Sequence, residues 1–576
     1  MAEACLPKMD IETKSCQNCQ NEFTIEPEDF DFYTKIKVSS PTFCSQCRLQ
    51  RRLAFFNLRN IYQRKCDLCG EIKVSYYPPD TPYKIYCPNC WWSDRWDHFA
   101  YGRNYDFSRN FFEQYNELMH EVPLLGLSID LPTAEMSPYN NHCGHLKNCY
   151  LLFHADTNED SAYGLVVFHS KEVFDSSIFL YSSLCYDSIY GWKNYNCTGI
   201  DHGSDLIDCA FLRDSENCQN CFASANLRHK QYHIFNRPYS KESYLEEIKK
   251  WDLGSYQTYQ EVKKLAEEHW KKFPPQPDQI DKKCVNVSGN YIGGSKNCQE
   301  CFQVLGAEDC KFLFMMESPP IKDCYDITSW GNNLALSYEC LISGENASNM
   351  KFCYESGINL HSAEYCKLST GGSYHFGCVS VKKGDYVIFN KPYHKDEYEA
   401  LREKIIKQMN EMSYKDSRGI LYKYGEFLPV ELSPFAYNKT FAQSLFPLTK
   451  EEVLKNSWQW QDDDTKKYTQ TKSWEELPDH IKDAPDDILK EIIGCKTCER
   501  GFRIISMELE FLRKKNLPLP RECPFCRMDK KFNTWIARLK MLKRTCIRCS
   551  KEFETSFSEE EVRELLCEDC WLKEVV

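Results

Sequence analysis

Residues 185–209 read CYDSIYGWKNYNCTGIDHGSDLIDC, with Cys185, Cys197 and Cys209 each 12 residues apart and Cys221 following at the same interval. A second run, Cys340, Cys353, Cys366 and Cys378, is spaced 13, 13 and 12. Around both runs the chain is rich in Ser, Asn, Gly and Tyr, and no helical period appears. A small residue returning at a fixed interval predicts stacked β coils, each placing the same residue inside. The expected architecture is a Cys-rich β-solenoid. These cysteines, with the pairs Cys218–Cys221 and Cys298–Cys301, read as metal ligands or as small buried apolar groups. Packing is the favoured reading, since free cysteine is among the most buried residue types.

The solenoid is duplicated. Tyr232-His-Ile-Phe-Asn-Arg-Pro-Tyr239 returns as Tyr386-Val-Ile-Phe-Asn-Lys-Pro-Tyr393, and each copy leads into a helix with an aromatic at the same offset, Tyr244 or Tyr398. Ser243 with Glu246, and Thr258 with Glu261, have capping-box spacing. Tyr259, Val262, Leu265, Ala266 and Trp270 predict one apolar helix face, ended by Pro274 and Pro275. Such helices would close the open ends of the coils.

Outside the solenoid, eight Cys-x-x-Cys pairs lie at the two ends of the chain. The first four are Cys16/Cys19, Cys44/Cys47, Cys66/Cys69 and Cys87/Cys90; the last four are Cys495/Cys498, Cys523/Cys526, Cys546/Cys549 and Cys567/Cys570. Intervals of 24, 18 and 17 residues at one end return as 24, 19 and 17 at the other. The ungapped match extends to Phe23 and Phe502, Asp29 and Glu508, Phe32 and Phe511, and Arg48 and Arg527. Two thiolates on one tight turn, joined by a second pair about 15–25 residues later, close a tetrahedral site. Soft ligands and tetrahedral geometry predict zinc, about four ions per chain, in structural sites with no open position. Sequential pairing of the knuckles is preferred, with a cross-braced pairing as the alternative.

CQNCQNEFTIEPEDFDFYTKIKVSSPTFCSQCR and CKTCERGFRIISMELEFLRKKNLPLPRECPFCR resemble the zinc-binding, treble-clef-like domain of bacterial proteins. Leu512 stands where that pattern prefers the tyrosine found at Tyr33. With YGEFLPVELSPFAYNKT and LPDHIKDAPDDIL, most of the chain is similar to an uncharacterised family of bacterial multi-zinc-ribbon proteins. The resemblance implies zinc-ribbon or treble-clef modules at both ends and no established activity.

Each module carries a basic bridge. RLQRRLAFFNLRNIYQRK, residues 48–65, holds Arg48, Arg51, Arg52, Arg59, Arg64 and Lys65 with no acid. Its counterpart offers Arg527, Lys530, Lys531 and Arg538, then Lys540, Lys543 and Arg544, against Asp529 alone. Aromatics interleave at Phe55, Phe56, Tyr62, Phe532 and Trp535. Basic side chains beside aromatic platforms suit single-stranded nucleic acid. Equally, the aromatics could pack the zinc sites together while the arginines face water or the solenoid.

Catalytic signatures are missing: HExxH, GxSxG and GxGxxG do not occur, and Gly289–Lys296 lacks the order of a phosphate loop. His142, His145, His154, His169 and His202 lack a common spacing. A solenoid groove could use paired carboxylates on a carbohydrate, with Asp201, Asp205 and Asp208 as candidates. No catalytic residue is assigned.

The chain has 576 residues, 33 of them cysteine, with a net charge of 72 − 84 = −12 and 42% hydrophobic residues; its mean hydropathy is −0.58. No apolar run is long enough to span a bilayer, and MAEACLPKMDIETK lacks a secretory pattern. A cytoplasmic protein with reduced thiols is expected. The predicted organisation is mainly β and multidomain: 1–98 N-terminal tandem zinc module; 99–140 linker; 141–238 first solenoid; 239–283 helical insert; 284–392 second solenoid; 393–494 helix and extended strap; 495–576 C-terminal tandem zinc module. The function expected is a non-enzymatic zinc-binding scaffold or adapter for a protein or nucleic-acid partner. Nucleic-acid binding through the bridges and carbohydrate chemistry in the solenoid are the alternatives.

Overall fold

The computed structural model describes residues 11–281, 283–462 and 469–575. Residues 1–10, which bear on the secretory reading, lie outside them. The described chain is mainly β, with two long parallel sheets and four-cysteine groups toward both ends. It divides into two compact units, each made of two separated segments. One unit joins the N-terminal segment to residue 127 with 279–462; the other joins 128–278 with the segment after 462.

In the second of these units the solenoid is built on a period of three. From His142 to Phe235 every third residue has positive φ, and the residue after each such corner points inward. Cys185, Ser188, Gly191 and Asn194 are consecutive inward positions, as are Cys197, Ile200, Gly203 and Leu206. Four such triplets make a 12-residue coil, so strands pair in parallel with a shift of 12, as in Leu165↔Phe153 and Phe179↔Gly191. The five histidines without a common spacing all fall on corners, a conformation histidine tolerates better than most residues. Coils begin earlier than expected, since Ile129 already pairs with Cys143.

The inward positions explain the cysteines. Each is small enough for a narrow core and donates to backbone: the Cys197 thiol lies 3.3 Å from the Tyr195 carbonyl and 3.6 Å from that of Leu206. Serine does the same in other columns. The Ser182 hydroxyl donates to the Leu180 carbonyl (3.0 Å) and accepts from the Asn194 N–H (3.0 Å). Buried polar atoms are thereby satisfied coil by coil. Gly191 sits beneath Phe179, whose ring fills the core; a Cβ there would lie 2.2 Å from that ring. Gly191→Ala should therefore lower stability by about 1–3 kcal/mol through overpacking. Denaturant unfolding should show Phe179→Leu restoring most of the loss; an unchanged midpoint for Gly191→Ala would refute this packing.

The other unit's solenoid obeys the same rule with one variation. Its corners double at Asn332–Asn333, Glu345–Asn346 and Ile358–Asn359, all with positive φ. One extra residue makes the coil 13, which is why Cys340, Cys353 and Cys366 are 13 apart while Cys378 follows at 12. The added asparagines form a ladder, Asn333 to Asn346 at 2.9 Å and Asn346 to Asn359 at 2.7 Å.

Both solenoids end alike. The repeated motif folds back as a short antiparallel strand, Ile234↔Arg237 and Ile388↔Lys391. The Asn236 amide accepts from the Ala225 N–H (3.0 Å) and donates to its carbonyl (2.7 Å). Asn390 does the same to Val379 at 2.8 and 2.7 Å. One side chain thus imitates a further rung and blunts an open edge. The helices follow, with two corrections. Their N-caps are Ser240 and Ser255, accepting from Ser243 and Thr258, three residues before the expected boxes. Leu265 is exposed, whereas Tyr259, Val262, Ala266 and Trp270 are buried. The stretch expected as a linker holds the helix Phe111–Glu121, whose Phe111 packs against Tyr365, Phe376 and Phe389 of its own unit's solenoid.

Candidate metal centres

Each four-cysteine group is made by a hairpin and a helix start. In the first, strands Glu12–Ser15 and Glu22–Ile25 flank Cys16 and Cys19. Cys44 is the N-cap of the helix Ser45–Leu53, which places Cys47 in its first turn. Cys87 and Cys523 are likewise N-caps of Pro88–Trp92 and Pro524–Ala537, and Cys567 directly precedes Glu568–Val575. The knuckle turn is the same four times. The residue after the second cysteine has positive φ at Gln20, Gly70, Glu499 and Ser550, and its N–H returns to the carbonyl of the first cysteine at 2.9–3.1 Å. That tight return puts both thiols on one side.

The groups are Cys16/Cys19/Cys44/Cys47, Cys66/Cys69/Cys87/Cys90, Cys495/Cys498/Cys523/Cys526 and Cys546/Cys549/Cys567/Cys570, with all four sulfurs of each within 4.8 Å of one another. The knuckles pair sequentially, not in the cross-braced manner. Four sulfurs about 2.3 Å from a tetrahedral zinc would form edges of about 3.8 Å. The contacts Cys19–Cys44, Cys495–Cys526, Cys498–Cys523 and Cys549–Cys567 measure 3.7–3.8 Å. The residues fit a tetrahedral thiophilic ion, and no disulfide competes for them, because all these cysteines are free. Among the described residues, candidate ligand sets of this tightness occur only in these four groups.

Local electrostatics favour the thiolate at the first cysteine of three groups, while burial pushes the thiols of Cys87, Cys90, Cys523, Cys526, Cys567 and Cys570 up. The N–H groups of Cys44, Cys87 and Cys523 reach the sulfurs of Cys16, Cys66 and Cys495 at 3.2–3.3 Å. Burial opposes ionisation of Cys66, Cys495 and Cys546, but the backbone N–H groups around them prevail and hold these thiols at about 7, 7 and 6. The start of a helix adds its positive end to the second pair of each group. Arg95 donates to the Cys90 sulfur at 2.7 Å, and Asn18 to that of Cys47 at 3.2 Å.

The basic bridges do something else. Arg48, Arg51 and Arg52 are all buried. Arg48 Nε binds Asp326 at 2.8 Å, Arg52 binds Asp326 at 3.2 Å, and Arg51 binds Glu339 at 2.7 Å and Glu426 at 2.9 Å. Burial disfavours these charges, yet Asp326 and Glu339 keep the Arg48 and Arg51 guanidiniums firmly protonated. The C-terminal module repeats this docking on its own unit's solenoid. Arg527 binds Asp175 and, at 2.8 Å, Glu508; Lys531 and Lys263 bind Asp187 at 2.6 and 2.5 Å. The aromatic contacts repeat too: Phe32 stacks on Tyr325 (3.8 Å, 10°) and Phe511 on Phe174 (4.2 Å, 24°). The residues shared by the two modules outside the cysteines are thus largely the ones that seat a module on coils.

This placement sets most of the bridge cations against acids of their own unit. Arg48, Arg51, Arg52 and Arg527 are buried against acids. Arg64 is buried and bound to Asp67 at 3.0 Å. Arg538 binds Glu561 and Lys530 binds Glu522, each at 2.5 Å. Arg59 is half-buried and Lys65 exposed. Sequence reasoning offered the solenoid as one surface the arginines could face but did not single out the acids, although Asp175 and Asp187 are 12 apart, Asp326 and Glu339 are 13 apart, and each follows an aromatic. The carbohydrate-directed carboxylates do not converge: Asp205 and Asp208 occupy successive corners, while Asp201 pairs with His202 at 2.6 Å.

No family model matches this chain, and no curated protein matches it. Among solved structures, a "putative acetyltransferase" from Desulfovibrio desulfuricans aligns at 10% identity over 44% of this chain and 68% of its own, with a TM-score of 0.11. A superposition that weak carries no argument about fold or activity. Within the described residues no helix is long and apolar enough to cross a membrane.

Proposed function

We propose that this protein is a non-enzymatic zinc-binding scaffold, in which tandem zinc modules brace two β-solenoids whose outer faces receive a macromolecular partner. The observation that carries the reading is the closed four-cysteine group: four sulfurs within 4.8 Å of one another supply every position of a tetrahedral ion and leave none for a reacting ligand. A metal enclosed in this way holds a fold together, and docking through Arg48 and Arg527 links that fold to the coils. Zinc is favoured over an iron–sulfur cluster because sulfurs within 4.8 Å of one another suit a single ion and the knuckle spacings suit zinc. The scaffold reading also fits the solenoid, whose core is filled by side chains.

Elemental analysis of the purified full-length chain should give four zinc ions, with X-ray absorption reporting sulfur ligands alone. Cys197→Ser should keep all four, because serine makes the same contacts inside the coil, whereas Cys47→Ser should lose one. Iron in place of zinc, fewer than about three ions, or loss of metal from Cys197→Ser would overturn the assignment.

A further inference from the structure

The first four-cysteine group is gripped by a segment that lies 400 residues further along the chain. Strands Tyr414–Lys415 and Leu421–Tyr422 pair as an antiparallel hairpin of the same unit, with Arg418 at its tip. Buried Asp416 sets that tip. One of its carboxylate oxygens accepts from the backbone N–H groups of Arg418 and Ile420 at 3.0 and 2.8 Å. The other accepts from the Arg418 guanidinium at 3.1 and 2.9 Å, which also lies over the Trp458 ring at 4.8 Å. Arg418 Nη1 then donates to Asn18 Oδ1 at 2.7 Å, and Asn18 Nδ2 donates to the Cys47 sulfur at 3.2 Å. Two further contacts hold the hairpin to the knuckles. The Gln17 amide exchanges hydrogen bonds with the Leu421 backbone in both directions at 3.4 Å, and Glu426 accepts from the Thr42 N–H at 3.1 Å.

An amide beside a sulfur can turn either end toward it. With the oxygen turned to Cys47, two electron-rich atoms would meet and the amide N–H would face a guanidinium. Arg418 offers donors only, so it selects the orientation in which the N–H points at the sulfur. A ligand sulfur carries negative charge, and a donor aimed at it makes the stronger, charge-assisted kind of hydrogen bond. Outer partners of this kind hold a metal ligand in place, and their loss costs about 10–100-fold in affinity. The C-terminal counterpart is built differently: Thr497 stands at the place of Asn18, has no amide, and binds Glu522. In the second group the donor is Arg95, five residues from Cys90, and it reaches the sulfur directly.

We infer that Asn18 and Arg418 are positioning residues of the first metal centre, and that the hairpin carrying Arg418 is a clasp whose closure slows the loss of its ion. This rests on the zinc reading and makes one centre answerable to a remote segment. Whatever lifts the hairpin loosens the Cys47 ligand, and by linkage the ion holds the hairpin down by the same factor. The test is pulse alkylation of the full-length, zinc-loaded protein with N-ethylmaleimide in excess EDTA, read by mass spectrometry at each cysteine. Asn18→Asp is the decisive variant. It keeps the shape of the side chain and strengthens the bond to Arg418, but it has no N–H for the sulfur. Asn18→Asp and Arg418→Met should each speed modification of the first group about tenfold. Arg418→Lys still offers Asn18 a donor and should speed it less. The second group, in the same unit, should react at the wild-type rate in all three variants. Modification of Asn18→Asp at the wild-type rate would overturn the inference. So would equal acceleration of the second group, since the unit as a whole would then have loosened. In the wild type, a first group that reacts equally fast with and without EDTA would instead remove the zinc reading beneath it, so the two fail separately.

Discussion

Stripping the metal with a strong chelator is expected to unfold both ends of the chain while much of the parallel β signal persists. A structural zinc held by thiolates contributes about 10–16 kcal/mol of apparent binding free energy near neutral pH. Neither hairpins of four-residue strands nor a five-residue helix such as Pro88–Trp92 would hold without it. The core of the second solenoid, with residues such as Cys298, Val304, Cys340 and Cys366, contains none of the ligands. Limited proteolysis after chelation should cut within 11–98 and 495–575 before it cuts the coils, and added zinc should restore protection. Simultaneous loss of all β circular dichroism would show that the coils depend on the modules more than their packing indicates.

The second large effect concerns the docking arginines. Arg48→Ala should destabilise its unit by about 3–5 kcal/mol, because Asp326 stays buried with its principal partner gone. Arg527→Ala should do the same to the other unit by stranding Asp175. Arg48→Lys keeps the charge but loses the planar fork, so an intermediate loss is expected. Urea unfolding followed by proteolysis maps each effect: Arg48→Ala should expose 11–127 and Arg527→Ala should expose 469–575. A shift below about 1 kcal/mol in either variant would place that pair in the class of weak surface bridges.

The cysteines told two stories, and both could be read in order. Pairs such as Cys16/Cys19 and Cys44/Cys47 announced a metal site because knuckle spacing is itself a geometric constraint. Cys185, Cys197 and Cys209 announced a coil length because one inward column repeats once per turn. The period of three within each coil was hidden. Corners are set by backbone dihedrals, and they accept Val166, Ile178 and Tyr181 as readily as His169 or Asp175, so no residue type marks them. The bridges left two readings open for a related reason. Arg48, Arg51 and Arg52 look uncompensated in a window that holds no acid, but their partners Asp326, Glu339 and Glu426 lie more than 270 residues away. Charge counted along a local window says nothing about charge met across a fold.

The interleaving of the two units has a consequence for synthesis. Coils 128–238 emerge from the ribosome long before Arg527, Lys531 and Phe511, the residues that cover their acidic and aromatic face. The later-made coils 284–392 find their own module, with Arg48 and Phe32, already waiting. The solenoid translated first is thus covered last, and its open row of Phe174, Asp175, Tyr186 and Asp187 is what a nascent-chain chaperone would meet. A ribosome stalled near residue 500 would release one finished unit and one bare solenoid, so premature termination would injure the unit that carries the earlier-made coils.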